Sequence, residues 1–149
     1  MISADTNVFV YAADDGDRSG KQAIAGVVVA ALAQQRQPIA LQVVGELQNA
    51  LRRRLRLPSH LAMQQARNIF SLFPNFPYDA DCVDVALAYA AAGRFSYWDA
   101  LLLSSCARAG VDVLLSEDMQ DGVGFSGVRV VNPFSPQGVS PAARELLNI

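Results

Sequence analysis

The sequence predicts an α/β fold with three layers, α/β/α, built on a short, mainly parallel central sheet. Short apolar strands alternate along the chain with segments long enough for helices, which is the pattern of parallel β–α units. The chain has 149 residues, of which 52% are hydrophobic and 17% are charged. Disordered chains need the opposite balance, so this composition predicts one globular domain over residues 1–149.

The first half of the chain alternates between strands and helices. Met1–Ala4 is a predicted strand that ends at Asp5-Thr6-Asn7, whose residue types suit turns and helix caps. Further along, Pro38 breaks a long predicted helix. The predicted elements after the first strand are helix Val8–Ala13, exposed loop Asp14–Asp17, helix Arg18–Gln35, strand Ile39–Gln42, helix Val43–Leu55 and helix Ser59–Leu72.

The second half begins with an irregular segment, Pro74–Pro77. Acidic residues at positions 79, 81 and 84 then precede or open a helix that reaches Ala92, where they suit the positive end of the helix dipole. Glycines 93 and 110 end successive helices. The remaining predicted elements are helix Ser96–Ala109, strand Val111–Ser116, strand Val128–Asn132 and helix Pro141–Leu147.

Two acidic positions fall immediately after predicted strands. Asp5 follows the first strand, and the pair Glu117-Asp118 follows the strand that ends at Ser116. In open α/β sheets, ligands bind outside the carboxyl ends of the strands. The sequence therefore predicts a functional site at this edge of the sheet.

Each candidate acid also has a structural interpretation. Asp5 suits a helix N-cap, Glu46 lies at the margin of an apolar helix stripe, and Asp118 is a loop acid after a strand. Asp99 forms a capping-box-like pattern with Ser96 but falls among apolar positions of its helix, where a lone carboxylate is costly. Asp121 belongs to a turn-like segment, and we expect it to be structural.

The alternative interpretation is that four of these acids bind one cation together. They are Asp5, Glu46, Asp99 and Asp118. Two unit charges about 4 Å apart repel by about 4 kcal/mol at an effective dielectric of about 20. A hard divalent cation removes that cost and prefers oxygen ligands. Zinc is not favoured, because His60 is the only histidine and Cys82 and Cys106 have no zinc-site spacing. We expect both cysteines to be buried free thiols of a protein in the reducing cytoplasm.

The overall charge does not indicate a nucleic-acid binder. Net charge is −2 and the sequence pI is about 5.2, so any RNA contact must come from a local patch or from bound metal. Arg52 and Arg56, four residues apart on a predicted helix, are candidates for contact with phosphates. A solvated or partner-facing role is the other interpretation of these two arginines.

Four segments of the chain together resemble the PIN-domain family. They are Asp5-Thr6-Asn7 after the first strand, Glu46 within Val43–Leu47, Asp99 within Tyr97–Ala100, and Ser116-Glu117-Asp118. Their order and rough spacing agree over nearly the whole chain, and its size is most similar to the VapC toxins of toxin–antitoxin pairs. Ser116 departs from the family's commoner threonine but keeps the hydroxyl.

The resemblance implies a Mg²⁺- or Mn²⁺-dependent endoribonuclease that is dimeric and blocked by a cognate antitoxin. By the same resemblance, Asp5 and Asp99 are expected as the principal metal ligands. Glu46 and Asp118 would complete the acidic shell directly or through water. Asn7 and Ser116 would orient the ligands or bound water, and whether Asp121 takes part stays open.

Three rival functions follow from the same residues. A dehalogenase-like phosphatase would need a second aspartate where Asn7 stands and a lysine, of which Lys21 is the only one. A Ser–His–Asp hydrolase would depend on His60, which has no nucleophile motif nearby. The third is a catalytically silent PIN-like scaffold that binds RNA or a protein. We expect no signal peptide, because no basic stretch leads an apolar one at Met1–Asp5. We expect no membrane span, because the longest apolar run, Ala23–Ala33, is too short.

Overall fold

The computed structural model describes all 149 residues, in seven helices and eight strands. The helices carry most of the ordered backbone, and each strand has only two to four residues. In chain order, the elements are β1 (Ile2–Ala4), α1 (Thr6–Ala12), α2 (Lys21–Gln34), β2 (Ile39–Ala40), α3 (Leu41–Arg53), α4 (Ser59–Leu72), β3 (Asn75–Phe76), α5 (Ala80–Ala91), α6 (Tyr97–Arg108), β4 (Val113–Leu115), β5 (Gly124–Phe125), β6 (Val128–Val131), β7 (Phe134–Ser135), β8 (Gly138–Val139) and α7 (Pro141–Leu147).

The central sheet has the strand order β1-β4-β6-β5, and its first three strands are parallel. Ala4 lies opposite Leu115, and Leu115 lies opposite Val131, so the carboxyl ends of these three strands meet at one edge. Every residue of β1 and β4 is buried, although successive side chains point to opposite faces of a sheet. Both faces are therefore covered, and the predicted α/β class with a short, mainly parallel sheet is confirmed.

Most of the predicted elements are present, with shifted ends. Helix α7 has the predicted bounds. Helix α2 begins at Lys21, three residues later than predicted, because Gly20 before it has a φ of +83°. The first turn of α3 includes Leu41 and Gln42, which were predicted to be strand, and the helix ends at Arg53, two residues before the predicted end.

The short strands were the least predictable elements. Asn75–Phe76, inside the segment predicted to be irregular, forms β3 and pairs in parallel with β2. Strand β5 adds an antiparallel edge to the central sheet, and β7 pairs with β8 in a second small hairpin. A two-residue strand contains no repeat of side-chain alternation, so these strands leave no periodic signal in the sequence.

One hydrophobic core of 30 buried residues joins the central sheet to helices on both sides of it. Cys82 and Cys106 are buried and free, as expected. None of the helices has the combination of length and apolar character that crossing a bilayer requires.

The central strand β4 should dominate the stability of the core. Leu114 is fully buried in β4, between β1 and β6. We expect Leu114→Ala to lower the free energy of unfolding by about 2–5 kcal/mol, because it removes buried methyl groups and leaves a cavity. Urea denaturation measures this loss. The control Leu87→Ala changes a side chain that is 55% exposed on α5, and it should change the free energy of unfolding by less than about 0.5 kcal/mol. An equal loss of unfolding free energy in both variants would contradict the expected contribution of β4 to the core.

Candidate active site

A pocket of about 580 Å³ opens at the edge where the parallel strands end. The four acids predicted from the sequence all line it: Asp5, Glu46, Asp99 and Asp118. They come from four separate places in the fold, namely the ends of β1 and β4, the middle of α3 and the first turn of α6. The structure therefore brings together acids that are far apart in the sequence.

Asp5 is the most buried of the four acids, with 7% of its surface exposed. It caps helix α1, because its Oδ1 accepts a hydrogen bond from the backbone N–H of Asn7 at 3.0 Å. Its Oδ2 accepts a hydrogen bond from the hydroxyl of Ser116, which is also fully buried. The two interpretations of Asp5 are thus compatible, since one carboxylate oxygen caps the helix while the residue lines the pocket.

The charge of Asp5 is destabilised by its surroundings. The pKa of Asp5 is raised to about 7, mainly by burial and to a smaller extent by the neighbouring carboxylate of Asp118. The hydrogen bonds from Ser116 and from the backbone of α1 act in the opposite direction and are weaker than the burial effect. A positive charge placed in the pocket would relieve this cost.

Glu46 is held from two sides. The hydroxyl of Thr6 donates to its Oε2 at 2.6 Å, and the side-chain amide of Gln42 donates to its Oε1 at 2.8 Å. The same amide nitrogen of Gln42 donates to the backbone carbonyl of Trp98 at 2.9 Å, which connects α3 to the start of α6. Sequence reasoning missed Thr6 and Gln42. The four-residue spacing from Gln42 to Glu46 was the available signal, but it required α3 to begin at Leu41.

Asp118 is held by a chain of polar side chains. The side-chain amide of Asn7 donates to Asp118, and the guanidinium of Arg54 donates to the carbonyl oxygen of the same Asn7 amide. Asn7 therefore orients an acid of the pocket, which is the kind of contact that its predicted role requires. Arg54 was not among the predicted site residues.

Asp99 belongs to a helix cap and also lines the pocket, but unlike Asp5 it contributes only its backbone to the cap. The hydroxyl of Ser96 caps α6 by accepting from the backbone N–H of Asp99 at 3.1 Å. The carboxylate of Asp99 itself makes no hydrogen bond or ion pair. Because the cap uses the backbone, the carboxylate stays free toward the pocket.

The donor set of the pocket fits a hard divalent cation, because the four acids offer only oxygen atoms. No three histidine, cysteine, aspartate or glutamate side chains are grouped closely enough to form a complete metal site as they stand. Asp5, Glu46 and Asp118 are instead held by hydrogen bonds to neighbouring polar side chains. Ligation by all four would thus require side-chain shifts or bridging water molecules.

A second polar cluster fixes the loop that carries Asp118. Glu117 forms an ion pair with Lys21 at 2.6 Å and accepts from the hydroxyl of Tyr11 at 2.8 Å. Burial acts to raise the pKa of Glu117, but the hydrogen bonds from Lys21 and Tyr11 outweigh it and lower the pKa. The only lysine is therefore engaged away from Asp5, which removes the lysine that a dehalogenase-like phosphatase would need.

Two other predicted residues have structural surroundings. The carboxylate of Asp121 accepts from the backbone N–H of Asn132 at 2.8 Å, which supports the expected structural role. His60 is exposed at the start of α4 and lines none of the main pockets. The hydrolase that would depend on His60 gains no support from this position.

The arginines are arranged differently from the prediction. Arg52 and Arg56 do not share a helical face, because α3 ends at Arg53 and Arg56 lies beyond it with a φ of +56°. Two other arginines line the pocket instead. Arg53 is the last residue of α3, and Arg54 is the C-cap of that helix. The prediction of a common helical face was wrong because it extended the helix too far.

Comparisons with known proteins bear on the fold. No protein-family model and no curated protein matches the chain. Among solved structures, VapC20 from Mycobacterium tuberculosis, a toxin that cleaves the sarcin-ricin loop, aligns with 79% of this chain and 90% of its own at 19% identity, with a TM-score of 0.62. A toxin–antitoxin complex from Klebsiella pneumoniae aligns with 93% of this chain and 100% of its own at 18% identity, with a TM-score of 0.57.

A third structure is VapBC2 from Rickettsia felis, bound to a DNA fragment from its promoter. It aligns with 78% of this chain and 87% of its own at 18% identity, with a TM-score of 0.56. The chain has the PIN-like fold of the VapC toxins. At these identities the likeness concerns the fold, and the chemistry must be argued from the pocket.

The buried charge of Asp5 predicts a pH-dependent stability. Its folded-state pKa of about 7 lies above the unfolded value of about 3.9, so the folded state binds more protons between these values. Stability of the metal-free protein should therefore fall as pH rises from about 4 to about 7. We expect Asp5→Asn, which keeps a good N-cap residue, to raise the melting temperature in EDTA by several degrees at pH 8 and by less at pH 5.

Thermal unfolding by circular dichroism at both pH values measures this effect. The control Asp84→Asn removes an exposed carboxylate on α5 and should shift neither value. A lower melting temperature for Asp5→Asn at pH 8 would mean that the helix cap and the Ser116 hydrogen bond outweigh the cost of the buried charge.

Proposed function

We propose that this protein is a metal-dependent endoribonuclease and the toxin of a toxin–antitoxin pair. The observation that supports the activity most directly is the convergence of Asp5, Glu46, Asp99 and Asp118 on one pocket at the carboxyl edge of a parallel sheet. The VapC-like fold supports the same proposal, since one neighbour with that fold is an RNA-cleaving toxin. RNA is the proposed substrate.

Mg²⁺ or Mn²⁺ is the proposed cofactor, with Asp5 and Asp99 as principal ligands and Glu46 and Asp118 binding directly or through water. When bound, such a cation polarises a phosphate and lowers the pKa of a water molecule. The protein's contribution is orientation: Ser116 holds Asp5 and Asn7 holds Asp118 by hydrogen bonds. These contacts limit the rotamers of the acids before substrate arrives.

The pocket favours hydrolysis by water over attack by the ribose 2′-hydroxyl. Histidine is the side chain that most often serves as general base, as attack by the 2′-hydroxyl would need. The only histidine, His60, is outside the pocket, and no lysine lines it. We therefore propose a cut that leaves a 5′-phosphate on the downstream fragment.

We also propose a homodimer and a cognate antitoxin as partners. Four large apolar side chains of α4 are at least 40% exposed, and exposed apolar surface of this kind favours a covered interface. One structural neighbour is described as a toxin–antitoxin complex, and another is VapBC2 bound to a DNA fragment of its promoter. The buried free thiols are consistent with the reducing cytoplasm that we propose as the location. The exposed apolar residues are Leu61, Met63, Phe70 and Leu72.

Cleavage of total cellular RNA by the purified, partner-free protein tests the activity. We expect discrete fragments with Mg²⁺ or Mn²⁺ and none with EDTA. Asp99→Asn should reduce the rate at least about a hundredfold, since loss of even an outer-sphere group costs about ten- to a hundredfold. This variant keeps the helix cap, which uses the hydroxyl of Ser96 and the backbone of residue 99.

Asp84→Asn is the matched control, because it removes the same charge at an exposed position outside the pocket. It should cleave like the unmodified protein. Folded, inhibitor-free protein that cuts no RNA in either metal would contradict the enzymatic proposal. Cleavage that persists in EDTA or in Asp99→Asn would contradict the role of the acids.

Salt dependence of RNA binding tests which arginines contact phosphates. We expect Arg53→Ala/Arg54→Ala to reduce the slope of log K against log salt by about 0.7 for each lost phosphate contact, because both residues line the pocket. Arg52→Ala/Arg56→Ala removes the same charge outside the pocket, so it should change the slope less. The opposite ranking would restore the contact predicted from the sequence for Arg52 and Arg56.

A catalytically silent scaffold is the alternative, and one observation favours it. No three acids are grouped into a complete metal site, and three of the four are engaged in hydrogen bonds. Titration calorimetry with Mn²⁺ separates the two functions. Saturable binding that is lost in Asp99→Asn supports the enzyme, and RNA binding without any metal binding supports the scaffold.

A further inference from the structure

A second pocket, of about 860 Å³, lies directly beside the acidic one. The two pockets share Gln42, Glu46, Asn49 and Trp98 as lining residues, so they form one continuous depression. We propose that the second pocket is a stacking subsite, in which Trp98 and Tyr78 take an unpaired base of the RNA next to the scissile phosphate. This inference rests on the proposed function and adds the substrate feature that the site selects.

The side chain of Trp98 is largely exposed to solvent. It is 59% exposed, the largest exposed fraction among the large apolar side chains of the chain. Tyr97 packs against it with ring centroids 5.1 Å apart and planes at 74°, and Gln42 holds its backbone carbonyl. The indole therefore packs against one neighbouring ring and is still open to solvent, which is what a stacking platform needs.

The rest of the subsite matches the edge of a base. Tyr78 is 46% exposed and adds a second aromatic ring. The side-chain amides of Gln48 and Asn49 line the same pocket, and that of Asn49 makes no hydrogen bond within the protein. Amides both donate and accept, so they can pair with the polar edges of an unstacked base.

The charges around the two pockets favour the RNA base in the second pocket and the phosphate in the acidic pocket. Glu46 is the only charged residue of the second pocket, and a carboxylate repels phosphate. Arg53 and Arg54 line only the acidic pocket. A protein partner would not need this continuity with the acids, whereas a nucleotide has a neutral base and a charged phosphate joined by one sugar. RNA is therefore the occupant that the arrangement favours.

The test uses the intrinsic fluorescence of Trp98, which is the only tryptophan of the chain. A short single-stranded RNA is titrated into the full-length protein in EDTA at low salt, where the proposed cleavage is off. We expect saturable quenching, because a base stacked on the indole changes its emission. An abasic chain of the same length and a fully paired duplex should bind through phosphates without that quenching.

Affinities for a dye-labelled RNA, measured by anisotropy, complete the test. Trp98→Ala should weaken binding by about 5- to 150-fold, as expected for loss of one stacked base, and Trp98→Phe should retain most of the affinity. Tyr78→Ala should weaken binding, while Leu87→Ala, which removes a similarly exposed apolar side chain on α5 outside both pockets, should not.

The outcomes separate failure of the subsite from failure of the proposed function. RNA that is bound and cut with unchanged Trp98 emission and unchanged affinity in Trp98→Ala overturns the subsite and leaves the nuclease intact. Quenching that depends on protein concentration and not on RNA assigns the aromatic surface to a contact between copies of the chain and overturns the subsite as well. Absence of any RNA binding overturns both proposals.

Discussion

The carboxylate of Asp5 is buried where β1 ends, and the parallel pairing of β1 with β4 places Ser116 against it. A buried carboxylate is costly unless hydrogen bonds or an opposite charge compensate it. The cap of α1 and the Ser116 hydroxyl provide the hydrogen bonds, yet the pKa of Asp5 still lies near 7. In the proposed function, a cation bound among the four acids of the pocket would supply the remaining compensation.

The tripeptide Asp5-Thr6-Asn7 organises this pocket with each of its three side chains. Asp5 enters the pocket directly, Thr6 donates to Glu46, and Asn7 donates to Asp118. Three adjacent residues at one helix start thus hold acids from α3 and from the loop after β4. This gives a physical reason for the residue types of the motif, since a hydroxyl and an amide are the donors that these two acids require.

The parts of the fold and site that were predictable are those with a local or periodic signal. Asp5 and Asp118 were singled out because each follows a strand, and Asp99 because it falls among apolar helix positions. Glu46 lies only at the margin of its apolar stripe, and the resemblance of its segment to the PIN-domain family singled it out. Gln42 was missed because its role depends on the exact first turn of α3, and helix ends are the least certain feature of a sequence. Arg54 was missed for the same reason, since the end of α3 decides which arginines face the pocket.

The start of α6 places the proposed stacking residue next to a proposed metal ligand. Trp98 and Asp99 are adjacent in its first turn, so a base that stacks on the indole is fixed relative to a carboxylate of the acidic pocket. Gln42 strengthens the coupling, because one amide nitrogen binds both the carbonyl of Trp98 and the carboxylate of Glu46. Correct positioning of reacting groups is worth several kcal/mol in an enzyme. A base held by this short, rigid path would set the position of its own phosphate, so that an RNA whose bases are all paired would lose both affinity and alignment.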